Sequence, residues 1–176
     1  MKYHNITKDD MLNGDGLRVV LWVSGCEHHC DGCQNPVTWD PNDGIEFDGN
    51  AVMEICHELK KDYVSGLTIS GGDPLYPANR ETVLDICRHV KELFPGKTIW
   101  LYTGYTFWEV PREILPYVDV IVDGKYVKDL ANVHYKWAGS TNQVVWKKSV
   151  NGEWVPTREY ETEINEMEGC PNGKNQ

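Results

Sequence analysis

Residues 18–35 read RVVLWVSGCEHHCDGCQN, an apolar run that stops at Ser24-Gly25 and opens into three cysteines within eight positions. Arg18 to Val23 has the β-branched character of a buried strand. Cys26, Cys30 and Cys33 therefore sit on a loop at that strand's C-terminal end, where open α/β folds place their ligands.

The chain outward from this stretch alternates. Residues 50–61 carry Val52, Ile55, Cys56 and Leu59 at i, i+3, i+4 and i+7, which predicts a helix. Leu67 to Ser70 predicts a strand stopped by Gly71-Gly72. Residues 79–94 predict a second helix, with Val83, Ile86, Cys87 and Val90 on one face and Pro95-Gly96 as its stop. A strand at Thr98 to Tyr102, a short helix near Trp108 to Leu115 and a strand at Val118 to Val122 follow. Strands alternating with helices imply βαβ units, hence an α/β fold with a mainly parallel sheet. Beyond Asp123 the alternation weakens. Gln143 to Trp146 reads as a strand, and Val144–Lys148 and Glu153–Val155 flank Asn151-Gly152 as a hairpin would. From Thr157 the chain is polar and Glu-rich. The expected layout is a domain at 1–156 and a mobile tail at 157–176.

Composition removes several classes of function. The 176 residues are 40% hydrophobic and 25% charged, with 17 basic against 27 acidic side chains and a net charge of −10. That balance argues against a nucleic-acid binder. No apolar run approaches the ~20 residues of a membrane span, and the N-terminus has no leader pattern. The expected location is cytoplasmic, with no membrane partner. Six cysteines in such a chain point to metal or redox chemistry rather than disulfides.

Three thiolates on one short loop suit three corners of a cubic iron–sulfur cluster, and Gly25 and Gly32 let the backbone wrap closely. A cluster used only for electron transfer normally has four cysteine ligands. Cys56 and Cys87 lie on apolar helical stripes as core residues, and Cys170 lies in the tail. One iron is then left open for a substrate. The competing structure is a zinc knuckle completed by His28 or His29, although zinc ligands usually come as two separated pairs. Both histidines read as loop residues flanking the cluster. Gly71-Gly72-Asp73-Pro74 falls on the same rim; taken alone it is an ordinary turn. Beside the cysteine loop, its main-chain oxygens can accept hydrogen bonds from an ammonium group. Tyr102-Thr103-Gly104-Tyr105 ends the next strand, as a turn or as a ligand contact, and Asp123 stands at a strand end in either role. The seven tryptophans show no stacking platform and fall to the core or a partner surface.

The C-x3-C-x2-C spacing after a first strand resembles the radical S-adenosylmethionine (SAM) superfamily. Further stretches are similar to one branch of it, the activating enzymes that place a glycyl radical on anaerobic ribonucleoside-triphosphate reductase. They are Asn13 to Arg18, Cys26 to Trp39, Ser70 to Pro74, Tyr102 to Tyr105, Asp119 to Gly124 and Gly139 to Gln143. Gly32 stands where most of the superfamily has an aromatic residue, and Asp73 where a Glu is commoner. The resemblance implies a partial (β/α) barrel, shorter than a full six-unit half-barrel, with an open side for a protein substrate. It implies a [4Fe–4S] cluster on Cys26, Cys30 and Cys33, and SAM held by Gly32, Gln34, Gly71, Gly72, Asp73 and Thr103. It further implies reductive cleavage of SAM to a 5′-deoxyadenosyl radical, hydrogen abstraction from a reductase glycine, and a low-potential electron donor such as flavodoxin. Three alternatives stay open: a small-molecule radical SAM enzyme of the deazapurine synthase type, an iron–sulfur electron carrier, and a zinc-stabilised interaction domain.

Overall fold

A computed structural model describes residues 1–159. The strands are β1 (Lys2–Asp10), β2 (Leu17–Val23), β3 (Ile45–Glu46), β4 (Val64–Gly71), β5 (Thr98–Tyr102), β6 (Val120–Asp123), β7 (Val144–Lys148) and β8 (Trp154–Thr157). They form one sheet in the order β3-β1-β2-β4-β5-β6-β7-β8. The helices are α1 (Gly49–Leu59) and α2 (Arg80–Leu93).

The expectation of a mainly parallel sheet is corrected. Only the centre, β2-β4-β5-β6, is parallel. β1 runs antiparallel to β2 and β3, and the β7–β8 hairpin adds antiparallel strands beyond β6. The crossovers through α1 and α2 enforce parallel pairing where they occur; short connections reverse the chain between β1 and β2 and between β7 and β8, and the longer segment 124–143 returns it antiparallel from β6 to β7. β1 escapes a periodicity reading because Ile6 is its single buried residue.

Two layers of apolar side chains cover the sheet. Val19, Leu21 and Val23 of β2, with Leu67, Ile69, Ile99, Leu101 and Ile121, pack against Ile55 and Leu59 of α1 and Val83, Ile86, Cys87 and Val90 of α2. The predicted stripe of α2 is thus buried in full. In α1 the buried face is Ala51, Ile55, Glu58 and Leu59, which leaves Cys56 half-buried at its margin rather than in the core. On the opposite face Trp100, Val120, Val122 and Val145 pack with Tyr102, Trp137 and Ala138.

The expected helix at Trp108 to Leu115 is a single 3-10 turn, Phe107–Glu109, closed by a Thr106–Glu109 capping box. Pro111 explains why it stops: the residue before a proline is pushed to extended backbone, and Val110 has φ −65° and ψ 127°. Asp123 is buried and accepts the Phe107 and Val144 N–H groups at 2.6 and 3.2 Å, so it braces that turn onto β7. Of the tail expected from Thr157, residues 160–176, with Cys170, lie outside the described residues.

Candidate iron–sulfur and SAM site

β2, β4, β5 and β6 all end on one rim, and the loops that follow them touch. The cysteine loop is closed at its base by main-chain bonds from Gly25 N to Thr38 O (2.8 Å) and Cys26 N to Trp39 O (3.0 Å). The turn after β4 is tied to it by bonds from Gly72 N to Val23 O (2.8 Å) and Asp73 N to Gly25 O (2.7 Å). Asn79, at the N-terminus of α2, does not cap its own helix. Its buried amide donates instead to Ser24 O (2.7 Å) and Asp73 O (3.0 Å), joining the end of β2 to that turn.

Cys26, Cys30 and Cys33 are free, half-buried thiols. Burial pushes the Cys26 thiol up, opposed by main-chain N–H groups of His28 and His29 that point at its sulfur. The Asn35 N–H approaches the Cys33 Sγ at 3.4 Å. Amides directed at sulfur suit thiolate ligands, since such bonds help set the properties of an iron–sulfur cluster. Gly25, His29 and Gly32 all take left-handed φ, which curls the loop between the thiols. Among the described residues, no three His, Cys, Asp or Glu side chains converge as ligands of one metal ion. Thiols that each bind a separate iron of a cluster need not converge on one point.

The other expected residues divide. Asp73 bonds the cysteine loop directly, through Gly25 and His28; Thr103 reaches it through Asp73, and Gly71 and Gly72 pair with Val23 at the end of β2. Gly32 and Gln34 are exposed at the loop's outer turn and lie outside that network. The missing side chain of Gly72 serves the protein's own backbone, because a Cβ there would sit 2.5 Å from Gly25 O and 2.8 Å from Thr38 O. Thr103 donates its hydroxyl proton to Asp73 Oδ1 at 2.9 Å and accepts from Tyr105 N at 3.2 Å. His28 is buried against Asp73, with Nε2 2.7 Å from Oδ2. Its role escaped the sequence because the partners lie 45 residues apart. His29 packs edge-to-face on Trp39. Beside Cys26 an open pocket of about 470 Å³ is lined by Glu27, His29, Pro36, Trp39 and Tyr76 among others; Gly71, Gly72 and Thr103 do not line it.

A parallel-centred α/β sheet with a three-thiol loop on its C-terminal rim suits an iron–sulfur protein. Residues 12–146 match the family described as "4Fe-4S single cluster domain". The chain is 48% identical over 155 residues to the anaerobic ribonucleoside-triphosphate reductase-activating protein of Enterobacteria phage T4, covering 88% of this chain and 98% of the phage protein. It is 43% identical over 150 residues to the protein of that name from Vibrio cholerae, and 39% identical over 150 residues to that of Escherichia coli K12. Each of these alignments covers 82% of this chain and 97% of the relative. The chain belongs to the family of anaerobic ribonucleoside-triphosphate reductase-activating proteins.

Proposed function

We propose that the protein activates an anaerobic ribonucleoside-triphosphate reductase by radical SAM chemistry, with Cys26, Cys30 and Cys33 holding a [4Fe–4S] cluster whose fourth iron is left for SAM. The observation that carries this is the direct bonding of the cysteine loop to the Gly71–Pro74 turn, through Asp73 N to Gly25 O at 2.7 Å. A group seated on the three thiols lies beside a turn with little side-chain bulk. When bound, the cluster and SAM supply a one-electron cleavage of the C–S bond that gives methionine and a 5′-deoxyadenosyl radical.

The residues of this chain hold and orient. Main-chain oxygens of Gly71 and Gly72 suit the ammonium of the methionine end. Gly32 and Gln34 supply exposed backbone next to the third thiol. Asp73 and Thr103 contribute by fixing the loops around the ligand. β2-β4-β5-β6 serves as the parallel part of a partial (β/α) barrel, and the antiparallel strands at either side leave room for a macromolecular substrate. The reductase is that substrate, its glycine giving up the hydrogen, and a low-potential donor such as flavodoxin supplies the electron. No described helix is long and apolar enough to cross a membrane.

Anaerobic reconstitution tests the cofactor part. The protein should take up iron and sulfide to one brown [4Fe–4S] centre and, under strong reduction, form 5′-deoxyadenosine from SAM. A colourless protein that binds only zinc, or a cluster inert to SAM, would overturn it.

A further inference from the structure

Asp73 is 1% exposed, and its two oxygens meet four donors. Oδ1 accepts from Leu75 N–H at 2.8 Å and the Thr103 hydroxyl at 2.9 Å. Oδ2 accepts from His28 Nε2 at 2.7 Å and Gly104 N–H at 2.9 Å. A carboxylate offers about four lone-pair directions, so protein groups occupy all of them and none remains for a ligand's ammonium. The donors come from three places: His28 from the cysteine loop, Leu75 from the turn after β4, and Thr103 and Gly104 from the loop after β5. Three rim loops meet on one carboxylate.

His28 is built into this knot. Its side chain is 6% exposed, and its ring lies edge-to-face with Tyr105 at 4.6 Å. Gly104 presses so closely on it that a Cβ there would sit 2.3 Å from the imidazole. The adjacent Glu27 accepts a hydrogen bond from the Tyr105 hydroxyl, so two successive loop residues clasp the same segment. His28 is two residues from Cys26 and two from Cys30, so its ring anchors the stretch of backbone between these two thiols.

We propose that His28 is a positioning residue: through Asp73 it latches the cysteine loop to the Gly71–Pro74 turn and the Thr103–Tyr105 loop, fixing the cluster side of the site against the SAM side. Asp73 serves this latch and does not touch SAM. The inference rests on the cofactor reading given above. Loss of the latch leaves the thiols able to take up iron but lets the loop shift out of register with the turn.

The test uses the full chain with His28→Leu, which has no donor, His28→Gln, which restores one, and Gly104→Ala, which pushes the ring from its other side. Before reconstitution, amide exchange at Gly104 should be about tenfold faster in His28→Leu and near wild type in His28→Gln, as expected for a lost charge-assisted hydrogen bond. After reconstitution, iron content should match wild type in all three. The SAM-induced change in the electron paramagnetic resonance signal of the reduced cluster should then need about tenfold more SAM in His28→Leu and Gly104→Ala, but not in His28→Gln. A wild-type cluster signal that ignores SAM overturns the cofactor reading and this inference together. A wild-type response that His28→Leu keeps at unchanged SAM concentration, with unchanged Gly104 exchange, overturns the latch alone.

Discussion

Gly72 is held by backbone on two sides, and that sets its tolerance. Gly72→Ala puts a Cβ against two main-chain oxygens that cannot rotate away, so the cysteine loop must move. Overpacking of this kind costs about 1–3 kcal/mol. A lower urea midpoint and a lower iron content should appear together, whereas Gly96→Ala, with nothing within 4 Å of its Cβ, should change neither. The cysteines separate in the same way. Alanine at Cys26, Cys30 or Cys33 should each abolish the cluster in iron and sulfide analysis, while Cys56→Ala and Cys87→Ala should keep it. Cys87 is fully buried and its thiol is pushed up to about 12 by burial, so alkylation at pH 8 should label it only after unfolding. At this scale the sequence shows which residues bear chemistry through the spacing of three thiols. It does not show that Asp73 is saturated or that Asn79 leaves its own helix, since the deciding bonds, to His28, Thr103, Gly104 and Ser24, join residues 30 or more apart in the chain.

Helices and central strands are the most legible elements, because burial on one face writes a period into the sequence. The α2 stripe and the strand Thr98–Tyr102 fall where the pattern places them. β1 does not, since its neighbours hold it by main-chain bonds and ask for little apolar surface in return. Arg18 is the least expected feature of β2. It is fully buried and donates to Thr68 Oγ1, Thr98 Oγ1 and the carbonyls of Asp15, Leu67 and Thr98, with its guanidinium over Trp100. Burial lowers its pKa to about 10, so it stays charged at neutral pH. It thereby pins the segment before β2 across β4 and β5. Arg18→Met takes the donor from five acceptors, four of them on buried or half-buried residues, and should cost on the order of 3 kcal/mol in denaturant unfolding. Arg18→Lys, with three donors against five, should lose part of that. An Arg18→Met protein as stable as wild type would remove the guanidinium from the fold's support.

Across the whole molecule, the rim that carries the cysteine loop also carries large exposed side chains. Val37 follows that loop at 63% exposure, and Trp108, after β5, is 82% exposed on the aromatic group of Phe107, Trp146 and Trp154. Exposed apolar groups beside a reactive centre suit a docked protein segment that shields it from water. In the proposed function the SAM side of the site makes the radical and the partner decides where it goes. That transfer is followed most directly with reductase from the same source whose glycine carries deuterium at Cα. The reductase is mixed anaerobically with this protein, SAM and a one-electron reductant. Deuterium should appear in 5′-deoxyadenosine as a glycine-centred radical appears on the reductase, and both should vanish when alanine replaces the target glycine. SAM turnover with a competent reductase that yields neither label transfer nor a protein radical would contradict the proposed activation.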